Sequence, residues 1–175
     1  LLMTATPIPR TLTMTIYGDM DLSIIREKPN IRKPVKTYSK PENKIGDIIK
    51  FVKKEIKLGN QIFWVCPLIE ESKKLDHSSA VKKSEYLNKL FPKQVFLLHG
   101  KTTTEEKEMI LNKFLKNEFK ILVSTTIIEV GIDFPNANVI IIENANKFGL
   151  SQLHQLRGRV GRGRKESSCI LMFKS

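Results

Sequence analysis

Short strand-like runs alternate with helix-like stretches through most of this 175-residue chain, and that alternation constrains its fold more than any other feature. VKTYS (35–39) reads as a short strand, and residues 44–58 then set Ile45, Ile48, Ile49, Val52 and Ile56 on one helical face with lysines opposite. Gly59 is the C-terminal stop of that helix. The run IFWVCPLI (62–69) has the unbroken apolar character of a strand buried on both faces. A polar stretch from Glu70 to Lys83 reads as loop and helix start, and residues 84–91 as a short helix before Pro92. VFLLHG (95–100) is the next strand, after which Thr103 and Glu106 have the spacing of a capping box that opens a helix through Met109, Ile110, Phe114 and Leu115. KILVSTT (120–126), NVIIIENA (138–145) and SCILMFK (168–174) are further strands, with a loop-helix over 127–137 and a helix over 149–158. Strands alternating with helices, most of them apolar on both faces, predict an α/β fold: a parallel sheet covered by helices on both faces.

Residues 1–30 break that rhythm. TATPIPR holds two prolines in a tight turn, LTMTIYG suits one helix, DLSII suits one strand, and Pro29 to Pro34 reads as a linker. The expected division is therefore 1–30 as the tail of a different, preceding domain plus linker, and 31–175 as one α/β domain. Leu1 in place of Met, with no basic leader or cleavage site, reads as a cut inside a longer chain. Separated from its own sheet, the 1–30 stretch exposes Ile16, Ile24 and Ile25, and is expected to be misplaced, partly disordered or packed on a neighbouring copy.

Composition narrows the partners. The net charge of +12, from 30 basic against 18 acidic residues, suits a polyanion, although a solvated lysine face accounts for it equally well. Arginine is more informative: of seven in the chain, Arg157, Arg159, Arg162 and Arg164 fall within eight residues. No apolar run is long enough to cross a bilayer, so no membrane partner is expected. Cys66 and Cys169 stand in apolar runs without metal-ligand spacing, which predicts buried, reduced thiols in a cytoplasmic protein.

Three segments carry chemistry. In QLHQLRGRVGRG (152–163), Arg159 and Arg162 are three apart at the end of a helix, which puts both guanidinium groups on one side. Gly158 and Gly161 allow close approach of another backbone or a phosphate. Such a pair serves equally as the positive group a transferring γ-phosphoryl needs from across a cleft, or as a basic loop gripping nucleic-acid backbone. STTIIEVGIDFPNA (124–137) follows a strand at the sheet's carboxyl edge, where open α/β folds bind ligands. There Thr125 and Thr126 offer hydroxyls and amides to phosphate, while Asp133, after Gly131, suits a turn cap better than a sugar contact. In LLHGKTTTEEK (97–107), Gly100-Lys101-Thr102 resembles the end of a P-loop, but position 95 is Val where that loop needs Gly. His99 there suits a structural role more than a catalytic one. No metal-ligand cluster and no nucleophile–base set is expected, so the chain holds no self-contained active site.

Taken in order, these segments resemble the motifs of superfamily-two helicases. TAT at Thr4, Ala5 and Thr6 is similar to the motif coupling ATP hydrolysis to strand movement at the end of a first RecA-like domain. LLHG, STTIIEVGIDFPNA and QLRGRVGR resemble the strand-contacting, dual-contact and arginine-finger motifs of a second RecA-like domain. MTATPIPRTL, YGDMDLSII, VCPLIEES, VSTTIIEVGIDFPNA and IENANKFGLSQLHQLRGRVGRG carry a closer resemblance, nearly throughout, to the bacterial RecG family of branched-DNA helicases. The transcription-repair coupling factor shares TATPIPRTL and LRGRVGR but is not expected to carry VCPLIEES, and PriA is more distant.

The resemblance implies an ATP-dependent translocase on double-stranded DNA that remodels branched DNA in recombination and repair. It implies Arg159 and Arg162 as arginine fingers, Gly131, Asp133 and Gln155 beside ATP, and His99, Gly100, Thr125 and Thr126 on DNA backbone. Arg157 stands where many relatives carry an apolar residue. The P-loop lysine and the Asp-Glu pair that holds magnesium belong to the first RecA-like domain, and the DNA-gripping wedge also lies outside these residues. The segment is thus expected to be inactive alone, with those missing domains as its intramolecular partners. The rival classes are the corresponding domain of the coupling factor and a non-catalytic nucleic-acid-binding module.

Overall fold

The computed structural model describes residues 33–67, 73–125, 134–163 and 165–174, of which the side chains of 73–78 are left aside. The expectations for residues 1–30 and for the loop-helix over 127–137 fall wholly or mainly outside these residues. In chain order the elements are β1 (Val35–Pro41), α1 (Ile45–Lys57), β2 (Gln61–Val65), α2 (Lys73–Leu90), β3 (Val95–Leu98), α3 (Thr104–Leu115), β4 (Ile121–Ser124), β5 (Ala137–Ile142), α4 (Leu150–Arg157) and β6 (Ser167–Phe173). All strand pairings are parallel and form one sheet in the order β1-β6-β5-β2-β4-β3. The α/β fold with a doubly covered parallel sheet is therefore as the alternation predicts.

That order explains which face each helix covers. The connections through α1 and α2 carry the chain one way across the sheet, and those through α3 and α4 carry it back. Crossovers of a single hand then send the two pairs to opposite faces. The core divides accordingly. Ile48, Ile49 and Val52 of α1 and Ala80 and Leu87 of α2 pack with Ile62, Trp64, Ile121, Val123, Val139 and Ile141. Ile110, Leu111 and Phe114 of α3 and Leu156 of α4 pack with Phe63, Leu122, Ile140 and Ile142 on the other face. On this second face Phe134 meets Phe63 and Phe114 at ring-centroid distances of 5.6 and 5.3 Å. The central strand β2 is buried along its whole length.

The local signals behave as expected in two places and differ in two. Thr103 Oγ1 accepts from the Glu106 amide at 3.2 Å while Glu106 Oε2 accepts from the Thr103 amide at 3.1 Å, which completes the capping box of α3. Gly59 takes φ +82° and ends α1 in the left-handed region. The first difference is α2, which runs unbroken from Lys73 to Leu90, so most of the stretch read as loop and helix start is already helical. Lys83 is the reason the pattern hides it. Its ammonium lies 2.8 Å from Glu143 Oε1 at the end of β5 and 5.6 Å from the Trp64 and Tyr86 ring centroids, so a lysine occupies an inward position. Among the strands, β2 ends at Val65 rather than 69, where Pro67 has no amide for the ladder.

Candidate functional site

Because every strand is parallel, the sheet has a carboxyl edge and an amino edge, and the chemistry-bearing segments divide between them. At the carboxyl edge, β3 runs out into His99, Gly100, Lys101 and Thr102. The Thr102 amide donates to the His99 carbonyl at 3.0 Å, Thr102 Oγ1 accepts from the His99 amide at 3.1 Å, and His99 Nδ1 accepts from the Lys101 amide at 3.1 Å. The ring nitrogen thus helps to organise the turn. Gly100 is exposed and has open space where a Cβ would stand, so the turn offers its backbone to a large ligand.

Thr125 lies beside this turn, one strand over. Its amide donates to the Leu98 carbonyl at 3.2 Å and it is only 7% exposed. The amide expected to be free for phosphate thus extends the β3–β4 ladder instead. Thr4, Ala5, Thr6, Thr126, Gly131 and Asp133 lie outside the described residues.

At the amino edge sits the arginine segment. Helix α4 turns Leu156 into the core, and Val160 follows it at 3% exposure. Gln155 is exposed on the outer side of α4, and Arg157 Nη2 lies 3.2 Å from His154 Nδ1. The Arg159 amide donates to the Leu156 carbonyl at 3.0 Å, which carries the chain past the end of the helix with the Arg159 and Arg162 side chains half-buried. Two glycines then press the segment onto the sheet. Gly161 has φ +79°, and a Cβ on it would stand 2.9 Å from Val35 Cγ2 and 3.5 Å from Ser167. A Cβ on Gly163 would stand 2.8 Å from the Pro135 carbonyl oxygen. Val35 and Ser167 open β1 and β6, and Pro135 stands two residues before β5, so the arginines belong to the edge where strands begin.

The structure thus brings His99, Gly100 and Thr125 together, and holds Arg159 and Arg162 in one segment with Gln155 on the helix leading into it. It does not bring those two groups together. They stand apart by the length of a strand, on the order of 15 Å. Thr125 stands at one edge, and the Pro135 carbonyl lies beside Gly163 at the other.

Two polar clusters lie outside the residues the sequence singles out. At the carboxyl edge the Trp64 indole N–H donates to Glu143 Oε1 at 2.8 Å, and Lys83 pairs with the same carboxylate. Glu143 with Cys66 pushes that thiol well above its usual range, burial being the larger cause. At the amino edge Asn60, Asn138 and Ser167 form a buried hydrogen-bonded set. Single polar residues inside apolar runs were the signal for both. Among the described residues no group of three or more His, Cys, Asp or Glu side chains could hold a metal ion. None of the described helices is long and apolar enough to cross a membrane.

Residues 43–164 match the family model described as the helicase conserved C-terminal domain. The chain is 51% identical over 174 residues to the ATP-dependent DNA helicase RecG of Bacillus subtilis, covering 98% of this chain and 26% of that protein. It is 54% identical over 173 residues to RecG of Aquifex aeolicus, covering 98% of this chain and 22% of that protein. A solved structure of RecG bound to a three-way DNA junction superposes with a TM-score of 0.79 at 46% identity, over 98% of this chain and 22% of that one. The chain therefore spans about a quarter of the length of the relatives it matches. This chain belongs to the helicase conserved C-terminal domain family, and within it to the RecG type.

Proposed function

We propose that this chain is the second RecA-like domain (31–175), preceded by the tail of the first (1–30), of a bacterial cytoplasmic enzyme that uses ATP to move along double-stranded DNA and remodel branched junctions. Arg159 and Arg162 act in trans, reaching the γ-phosphate of an ATP whose magnesium and phosphates are held by the first RecA-like domain. Gln155, Gly131 and Asp133 lie beside that nucleotide. The turn at His99 and Gly100, with Thr125 and Thr126, contacts DNA backbone, and Thr4, Ala5 and Thr6 couple the two domains. A wedge elsewhere in the same chain grips the branch point. The RecG structure bound to a three-way junction supports this choice of substrate.

The observation that carries the reading is the seating of the arginine segment. Gly161 and Gly163 press it against Val35, Ser167 and Pro135 with no room for a side chain. A guanidinium pair carried on a firmly seated backbone suits phosphoryl transfer, where stabilising charge must be in place before the reaction rather than reorganised during it. A loop that only gripped a flexible polyanion needs no such rigidity. The test compares DNA-stimulated ATP hydrolysis by this segment and by the full-length protein. Silence from the segment with strong stimulation of the full-length protein by forked DNA is the expected result. Turnover by the segment alone refutes the division of labour.

A further inference from the structure

The arginine segment rests on a polar cluster that a purely structural core does not need. Asn138 is fully buried, Ser167 is 1% exposed and Asn60 is 5% exposed, and together they join the starts of β2, β5 and β6. Ser167 Oγ donates to Asn138 Oδ1 at 3.2 Å, and Asn138 Nδ2 donates to Asn60 Oδ1 at 3.0 Å and to the Asn136 carbonyl at 3.2 Å. Asn60 Nδ2 donates to Glu55 Oε2 at 2.6 Å. Lys165, three residues past Arg162, reaches back so that its Nζ donates to Asn60 Oδ1 at 3.2 Å and to the Leu58 carbonyl at 3.3 Å.

Two features give this cluster a direction. Apolar side chains of the same size fill a core without desolvating amides, whereas a hydrogen-bonded set fixes one orientation of its members. The groups it orients are those that touch the arginine segment: Ser167 lies under Gly161, and Lys165 ties down the far end of the segment. Resting on the arginine-finger reading above, we infer that Ser167 and Asn138, with Asn60 behind them, are positioning residues that set the height and orientation of Arg159 and Arg162 against the bound nucleotide. They touch neither nucleotide nor DNA. A displacement of about 1 Å at a reacting centre can lower a rate by about a hundredfold, so the cluster acts on kcat rather than on binding.

The experiment uses full-length protein carrying Ser167→Ala, which removes one hydroxyl, and Asn138→Leu, which removes the amide at similar volume. The kcat and KM for ATP in DNA-stimulated hydrolysis, the affinity for forked DNA and the melting temperature are measured together. The expected result is a kcat lower by about tenfold to a hundredfold, with KM and DNA affinity within about twofold. In an Arg159→Lys background, where the bidentate fork is already lost, Ser167→Ala is expected to cost less than about twofold more, because the two changes share one mechanism. If Asn138→Leu does not fold, Ser167→Ala decides alone. A normal kcat in folded Ser167→Ala, or a full additional loss in the Arg159→Lys background, overturns the positioning role while leaving the arginine reading intact. Normal turnover by Arg159→Ala removes the arginine reading, and this inference with it.

Discussion

At the residue scale, two glycines and two cysteines show how much local chemistry a sequence motif encodes. The glycines of the arginine segment are not interchangeable spacers. Gly161 combines a left-handed backbone at φ +79° with a Val35 methyl 2.9 Å from where a Cβ would stand. Gly161→Ala is therefore expected to destabilise by roughly 1–2 kcal/mol from the backbone alone, and by more from the clash. A denaturant midpoint indistinguishable from the unsubstituted protein would refute this. The cysteines carry a pH signature. Burial pushes the Cys169 thiol up to about 11, and pushes Cys66 further upward with Glu143 beside it. An unfolded thiol ionises near 8.5, so the folded state keeps protons that the unfolded state has shed. The thiols' contribution to stability is thus complete below about pH 8.5 and is lost as pH rises towards 11 and beyond. Chemical denaturation of the unsubstituted protein and of a Cys66→Ala, Cys169→Ala variant should show this extra decline above pH 9 in the former alone.

At the element scale the strands were more legible than the helices. All six are legible in the sequence, the central β2, β4 and β5 because strands covered on both sides read as apolar runs, whereas the exposed edge strand β1 carries a weaker signal. Their ends were misjudged by a few residues, as at β2, because apolar residues continue past the point where Pro67 interrupts the ladder. Helix α2 was cut short for a different reason. Its inward positions include Lys83, and a lysine read as outward blurs the periodicity at the point where loop and helix start are read together. The Lys83–Glu143 pair locks α2 onto the carboxyl edge beside Trp64. Lys83→Met leaves a largely buried carboxylate unpaired and is expected to cost about 3 kcal/mol, whereas Lys83→Met with Glu143→Gln recovers much of it. Equal destabilisation by the single and double variants would show that the pair does not hold the helix.

At the scale of the whole molecule, the sheet separates two chemistries. The His99–Thr102 turn and Thr125 stand at one edge, and Arg159 and Arg162 at the other, with a rigid parallel sheet between them. The motifs were legible in the sequence because glycines, arginines and threonines at fixed spacings serve local backbone needs. Their partition to opposite edges was not, since it follows from strand order, and strand order depends on contacts between residues far apart in the chain. The buried Asn60, Asn138 and Ser167 escaped notice for the same reason: each is an isolated polar residue until β2, β5 and β6 align.

The most direct measurement is DNA-stimulated ATP hydrolysis by the full-length protein carrying Arg159→Ala. A trans-acting arginine predicts turnover lower by roughly 10³–10⁵ with binding to forked DNA retained. Near-normal turnover, or a loss fully explained by weakened DNA binding, would contradict the central claim that this domain completes the ATP site of the motor.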